Sequence, residues 1–226
     1  MNETLEYVIL VAGGKGLRMQ AAMPKQFMLL GGKPVLMHSL EAFYTYSPAI
    51  SIIVVLPQEQ INYWQELCKT YNCTIAHKIT AGGMERFYSV QAGLACIDSE
   101  GFVAVHDGVR PLVSPDCIAR GFSCARRYGS AIPVVDSIDS LRIIDGKTSK
   151  SIDRSKVKQV QTPQIFNIQN LKQAYKQSYS SLFTDDASVW ESAGFSLALY
   201  EGEKQNIKLT TPVDFAWGEL FLSNTI

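Results

Sequence analysis

Four cations, Lys15, Arg18, Lys25 and Lys33, fall within the stretch from Tyr7 to Leu40, which holds no Asp or Glu, in a chain of 226 residues with a formal net charge of zero. Glycines lie among them, in Ala12-Gly13-Gly14-Lys15-Gly16-Leu17-Arg18-Met19, and Pro24-Lys25-Gln26 follows. Glycine lets successive backbone N–H groups turn inward around an anion with no Cβ in the way. The chemistry this suits is the wrapping of a nucleoside triphosphate, with Arg18 and Lys25 offered to one reacting phosphorus. A flexible turn with solvated bases is the plain alternative, and the absence of acids and the Pro-Lys-Gln weigh against it. A dinucleotide fingerprint fits poorly, because Met19 stands where a third glycine is needed and Pro24 follows. A P-loop fails, since no Gly-Lys-Ser or Gly-Lys-Thr follows at the required spacing.

Such a loop needs a rigid frame, and the chain alternates in the way that builds one. Tyr7–Ala12, Ile50–Leu56, Phe102–His106 and Ser130–Val135 are short apolar runs that suit strands covered on both faces. Cys73–Ile79 predicts a shorter strand and Phe195–Tyr200 a last one. Helices are predicted from Pro34 to Phe43, Gln60 to Tyr71, Phe87 to Ile97, Pro115 to Tyr128 and Asn170 to Tyr179. Thr184 or Asp185 is placed to cap another over Asp186–Ala193, and Thr211 with Pro212 to open the last. The expected fold is α/β, a Rossmann-like, mostly parallel sheet with helices on both faces. Ligands of such sheets sit beyond the carboxyl ends of the strands, where the Gly13 loop, Asp107, Asp136 and Ser137 fall. One segment breaks the rhythm: Ser140–Ile144 alternates with period two, Asp145-Gly146 signals a hairpin, and a polar return runs through Arg154. Residues 137–158 are expected to form a protruding β-hairpin arm on a single domain spanning 1–226. An isolated ribbon is marginal, so its support is either a second subunit or its own domain.

Composition narrows the partners. Hydrophobic residues make up 46% and charged ones 19%, ordinary for a globular protein. With 21 basic and 21 acidic residues no overall field exists to draw nucleic acid or an anionic membrane, so neither is expected as a partner. The start, Met1-Asn2-Glu3-Thr4-Leu5-Glu6, is acidic and unlike a secretory signal, and no apolar run approaches the roughly eighteen residues of a membrane span. A cytoplasmic location is expected. Cys68, Cys73, Cys96, Cys117 and Cys124 contain no C-x-x-C and are read as reduced, mostly buried thiols; His38, His77 and His106 share no zinc-ligand spacing with them.

Further motifs join the first loop: Gly82-Gly83-Met84-Glu85-Arg86 with Ser89-Val90, His106-Asp107-Gly108-Val109-Arg110-Pro111, Thr162-Pro163-Gln164-Ile165-Phe166, Thr184-Asp185-Asp186-Ala187-Ser188 and Asn206-Ile207-Lys208-Leu209-Thr210. Together, in this order and over nearly the whole chain, they resemble the 2-C-methyl-D-erythritol 4-phosphate cytidylyltransferase family. The resemblance implies transfer of CMP from CTP to that polyol phosphate, with release of pyrophosphate, in non-mevalonate isoprenoid precursor biosynthesis. It implies that Ala12, Gly13, Gly14 and Gly16 hold the CTP phosphates, and that Arg18 and Lys25 stabilise charge at the α-phosphorus. Gly83 and Ser89 would contact the base and ribose. Asp107 would lie beside the nucleotide and ligate Mg²⁺, although a turn cap is the plain alternative for that residue alone. Arg154 and Lys208 would position the polyol phosphate, with Ser137, Asp185 and Thr210 as polar contacts. Arg154 would do so in the other subunit of a homodimer joined through the 137–158 arm. Ser137 departs from the expected threonine, and Gly108-Val109 from two small residues.

Two other readings remain. A cytidylyltransferase for another polyol phosphate, such as ribitol 5-phosphate, shares several of these motifs, and the short connection from Arg142 to Thr162 with Asp153-Arg154 inside it disfavours it. A non-catalytic nucleotide-binding module would not need both Arg18 and Lys25.

Overall fold

The computed structural model describes residues 4–13 and 23–223. Strand β1 (Glu6–Val11) opens the chain, and β2 (Leu29–Leu30) and β3 (Lys33–Pro34) form a two-residue ribbon. Alternation then proceeds through α1 (Val35–Tyr46), β4 (Ser51–Leu56), α2 (Ile61–Thr70), β5 (Lys78–Ala81), α3 (Arg86–Leu94), β6 (Phe102–Asp107), α4 (Pro115–Tyr128) and β7 (Ser130–Asp136). The remainder is less regular: β8 (Leu141–Asp145), β9 (Thr148–Ile152), β10 (Lys158–Val160), β11 (Gln164–Asn167), α5 (Ile168–Ala174), α6 (Asp186–Ser192), β12 (Leu199–Glu201) and α7 (Pro212–Ser223).

The main sheet has the order β10-β7-β11-β6-β1-β4-β5, with β12 also paired to β7. β5, β4, β1 and β6 are parallel, as expected. β11 lies antiparallel between β6 and β7, so those two point the same way. Successive side chains of a strand face opposite sides, and the core divides accordingly. Val8, Leu10, Ile52, Val54 and Ala104 pack with Leu36, Leu40, Phe43, Trp64, Ile118 and Phe122 from α1, α2 and α4. Ile9, Ile53, Val55, Val103 and Val105 pack with Phe87, Val90, Leu94, Leu171 and Trp190 from α3, α5 and α6. Both faces are covered, which is why these strands read as unbroken apolar runs.

Local chemistry sets the ends of the elements. Ser114 caps α4 by accepting the Cys117 N–H at 3.0 Å, Pro115 occupies its first turn, and Gly129 stops it with a φ of 85°. Asp185 caps α6 in a reciprocal box with Ser188. Asp214 accepts the N–H groups of Thr210 and Thr211, both at 2.7 Å, at the start of α7.

Several expected boundaries move. Within 73–79 only Lys78 and Ile79 belong to a strand, since pairing with β4 begins at Ile53↔Lys78. The helix expected over 170–179 begins at Ile168, after the Asn167 cap, and ends at Ala174. The last strand is Leu199–Glu201 rather than 195–200. The cysteines are all free, but only Cys117 is buried; the other four are half-buried, a correction to the expectation of mostly buried thiols.

The arm stands as a sheet of its own, β8 against β9. Asp145 pairs with Thr148, so the turn is centred on Gly146 and Lys147, with Gly146 at a φ of 56°. Ile144 is 70% exposed and Ile138, at the arm's base, 71%. The hairpin projects and does not lie back on its own domain.

Candidate active site

The parallel strands deliver their carboxyl ends to one edge of the sheet. Val11 pairs with Asp107, and the Gly108 N–H donates to the Val11 carbonyl at 2.9 Å. A Cβ on Gly108 would stand 2.7 Å from Leu36 Cδ1 and 3.2 Å from the Ala12 Cβ, so a larger residue there would have to displace the Leu36 side chain. Val109 causes no disturbance at the strand end: its carbonyl accepts the Leu209 N–H at 2.9 Å and its side chain packs on the Leu30, Val35 and Leu209 cluster.

The start of the first glycine loop, Ala12 and Gly13, meets the second glycine turn beside this end. Ala12 is buried, its carbonyl accepting from Gln26 Nε2 at 2.7 Å, and Gln26 Nε2 also donates to Gln60 Oε1 at 2.8 Å. The buried Gln26 amide thus ties the start of the first loop to the short 3₁₀ turn of Lys25–Phe27 and fixes where Lys25 stands. Gly14, Gly16 and Arg18 lie outside the described residues. A Cβ on Gly13 would lie 3.9 Å from Ser89 Oγ. Ser89 in turn accepts the Gly83 N–H at 3.2 Å and donates to the Glu85 carbonyl. The second turn must be glycine at Gly83, where a Cβ would meet that of Tyr88 at 2.3 Å. The structure therefore brings Ala12, Gly13, Gly83 and Ser89 together at one edge.

Asp107 is the charged centre. Lys208 Nζ donates to its Oδ2 at 2.8 Å, Arg86 Nε approaches Oδ1 at 3.4 Å, and Arg110 Nε lies 3.7 Å from Oδ2. Burial alone would push this carboxyl up, but Arg86 first, then Lys208 and Arg110, hold it well below the usual carboxylate range. It stays ionised at any working pH. Its backbone N–H donates to Thr162 Oγ1 at 3.1 Å, and Thr162 Oγ1 lies 3.0 Å from His106 Nδ1. His106 Nε2 lies 3.1 Å from the Arg110 carbonyl, which can only accept, so Nε2 carries the proton and Nδ1 accepts from the Thr162 hydroxyl. Burial pushes this imidazole down to about 4, so it is neutral.

The second-substrate residues are divided. Lys208 is in the cluster, and Arg110, Lys208 and Asn206 line an open cleft of about 350 Å³ together with Asp136, Ile138 and Gln159. Ser137, buried next to that cleft, donates to the Asp139 carbonyl at 3.3 Å, so the hydroxyl is kept where threonine was expected. Thr210, two residues beyond Lys208, is occupied with Asp214 at the cap of α7. Asp185 caps α6 and accepts from Gln164 Nε2 at 2.8 Å. Arg154 donates to the Ile138 carbonyl of its own chain and is not part of the Asp107 cluster.

Arg86, His106, Arg110, Thr162 and Gln26 all sit inside motifs legible in the sequence, but no role was assigned to them there. Their signal was position within those motifs; the distances needed the fold.

Comparison with known proteins identifies relatives over nearly the whole chain. The family model described as 2-C-methyl-D-erythritol 4-phosphate cytidylyltransferase matches residues 7–224. A protein of that name from Phocaeicola vulgatus is 49% identical over 96% of this chain and 99% of its own. One from Halalkalibacterium halodurans is 37% identical over 97% of this chain and 98% of its own. Among solved structures, 4-diphosphocytidyl-2C-methyl-D-erythritol synthase from Anaerococcus prevotii superposes with a TM-score of 0.82 at 26% identity, covering 97% of this chain and 96% of that one.

Proposed function

The chain belongs to the 2-C-methyl-D-erythritol 4-phosphate cytidylyltransferase family, and from that premise we propose how its residues carry out cytidylyl transfer from CTP to 2-C-methyl-D-erythritol 4-phosphate. A phosphate oxygen of the polyol phosphate attacks the α-phosphorus of CTP. The bond from that phosphorus to the bridging oxygen breaks, and pyrophosphate leaves. Little covalent chemistry falls to the protein in such a transfer; positioning and fixed positive charge carry it. Lys25, held by the Gln26 anchor, and Arg18 supply charge at the α-phosphorus. The turn of Gly83 and Ser89 receives the base and ribose, and Ala12 to Gly16 the phosphates. Lys208 and Arg110 flank the cleft that takes the polyol phosphate. The observation that carries this reading is the meeting of Lys208 with Asp107 at the carboxyl end of β6, next to the end of β1 from which the first glycine loop leaves.

Magnesium fits this donor set in one particular way. Among the described residues no three His, Cys, Asp or Glu side chains converge to hold a metal. A Mg²⁺ held through one carboxylate and the oxygens of a substrate's phosphates needs no such group. Asp107 is that carboxylate, and Lys208, 45% exposed, is a partner it can exchange. The ion would offset charge on the triphosphate oxygens.

The arm is read as the joint of a homodimer. Its support is the exposed Ile138, Ile143, Ile144 and Val160, a set that a second copy of the same ribbon would cover. In that assembly Arg154 exchanges the Ile138 carbonyl for the polyol phosphate of the other subunit. A cytoplasmic location belongs to the same reading; among the described residues no helix is long and apolar enough to cross a membrane.

The test is pyrophosphate release from CTP, measured with 2-C-methyl-D-erythritol 4-phosphate, with ribitol 5-phosphate and with no acceptor. Release only with the first is expected, and UTP or ATP in place of CTP should support little of it. Faster turnover of ribitol 5-phosphate would reassign the acceptor. Silence with both would leave a nucleotide-binding module.

A further inference from the structure

One half-buried cation at this site has no part in the reaction as described so far. Arg86 opens α3 immediately after the glycine turn, and its guanidinium is shared between two carboxylates: Nη2 donates to Asp186 Oδ2 at 2.7 Å, and Nε approaches Asp107 Oδ1 at 3.4 Å. Asp186 is 0% exposed. Its other oxygen accepts from the Tyr175 hydroxyl at 2.6 Å, and among the described residues Arg86 is its one ion-pair partner. A carboxylate wholly out of water is strongly unfavourable without a paired charge. Asp186 therefore holds the guanidinium in place, and the fixed guanidinium in turn acts on Asp107.

The two oxygens of Asp107 are treated differently. Oδ1 is approached by Arg86, whereas Oδ2 takes Lys208 and, at longer range, Arg110. Lys208 is a flexible, half-exposed cation that can leave; Arg86 is not. The carboxylate is thus anchored through one oxygen and free to trade partners through the other. Arg86 also links the base turn, through its own place in the chain, to the start of α6, where Asp186 is the first helical residue.

We propose that Arg86 is a positioning residue for the transfer: it orients Asp107, with Oδ1 held and Oδ2 presented, and keys that orientation to both the nucleotide turn and α6. The proposal rests on the reading of Asp107 as a site residue. A purely structural role, neutralising Asp186, is the competing account, and the two differ in what a lysine can replace. Lysine neutralises Asp186 as a point charge but lacks the planar fork that reaches two carboxylates at once.

Arg86→Lys separates them. The expected result is a melting temperature close to that of the parent, KM values for CTP and the polyol phosphate within about threefold, and kcat lower by about tenfold or more, as for a small misplacement of a reacting group. Arg86→Gln with Asp186→Asn removes both charges of the pair together, so a folded protein with the same loss of kcat is expected. Parental kcat in Arg86→Lys would overturn the proposal. So would loss of the folded state in both variants, which would make the pair structural alone. An unmutated protein inactive with CTP and 2-C-methyl-D-erythritol 4-phosphate would instead sink the functional reading on which the proposal stands.

Discussion

Lys208 and Asp107 stand 101 residues apart in the chain and 2.8 Å apart across the site, Nζ to Oδ2. The C-terminal segment is brought there by the pairing of the Leu209 N–H with the Val109 carbonyl, one residue on. Lys208→Ala should leave the fold intact, since Asp107 keeps Arg86 and Arg110. Loss of one charge-assisted hydrogen bond to a phosphate, about 1.5–3 kcal/mol, should raise KM for the polyol phosphate by about ten- to a hundredfold. KM for CTP should change little. Steady-state kinetics with each substrate varied in turn decide it, and an equal rise for CTP would move Lys208 to the nucleotide side.

Gly83→Ala should displace the second glycine turn. The added Cβ would lie 2.3 Å from the Tyr88 Cβ, so the backbone must move. The Gly83 N–H would then lose Ser89 Oγ, and KM for CTP should rise by about tenfold or more. A variant whose nucleotide affinity, followed by titration calorimetry, matches the parent would show that this turn does not touch the nucleotide.

His106 sets a pH dependence of stability whose sign follows from its burial. In the unfolded chain it titrates at the ordinary 6.5 and in the folded protein at about 4. Between these values the unfolded state binds more protons, so stability is lost as pH falls from 6.5 towards 4, by about 3 kcal/mol in all. His38, also lowered by burial, acts in the same direction. Asp107 contributes in a lower window: its share is fully present above 3.8 and is lost as pH falls through its depressed folded value. Urea midpoints at pH 6.5, 5.5 and 4.5 should fall steadily in the parent and less steeply in His106→Gln. Parallel slopes would place the titration elsewhere.

The proposed sharing of the site between two subunits predicts complementation. Arg154→Ala and Lys25→Ala should each be nearly inactive as homodimers, the second by about a hundredfold or more for loss of an electrostatic stabiliser. Mixed, they can assemble one site from the intact loop of one chain and the intact arm of the other, so activity should return on subunit exchange. No recovery in demonstrated mixed dimers would mean that Arg154 serves its own chain or no site at all.

Much of this was legible before any coordinates, and the limits have physical causes. β1, β4 and β6 read as strands because burial on both faces makes them continuously apolar, and α4 lies where it was expected, over Pro115–Tyr128, with its Ser114 cap and Gly129 stop added by the fold. The Asp145-Gly146 signal found the arm because a hairpin is a local event. Arg86 and Asp186, 100 residues apart, could not be paired by any local pattern. Tyr175, the C-cap of α5, donates its hydroxyl to Asp186 Oδ1, a contact that helical periodicity cannot reveal. The run from Cys73 to Ile79 looked uniform, yet only the residues from Lys78 on have a neighbour in β4. Asp185 caps α6, one of the two residues expected to do so, whereas the pairing of Thr210 with Asp214 had no signal in the sequence.

The place of β11 has a consequence for a growing chain. β6 and β7 are made early and are both buried, yet in the finished sheet each must wait for Gln164–Asn167 to fill the gap between them. Until then the nascent sheet carries an open edge at β6, beside the residue that becomes the charged centre. Thr162, which accepts the Asp107 N–H, arrives in the same stretch of chain. The filling of the sheet beside β6 and the Thr162 support of Asp107 thus depend on one stretch of chain, and Lys208, the cation that completes the cluster, comes only after both.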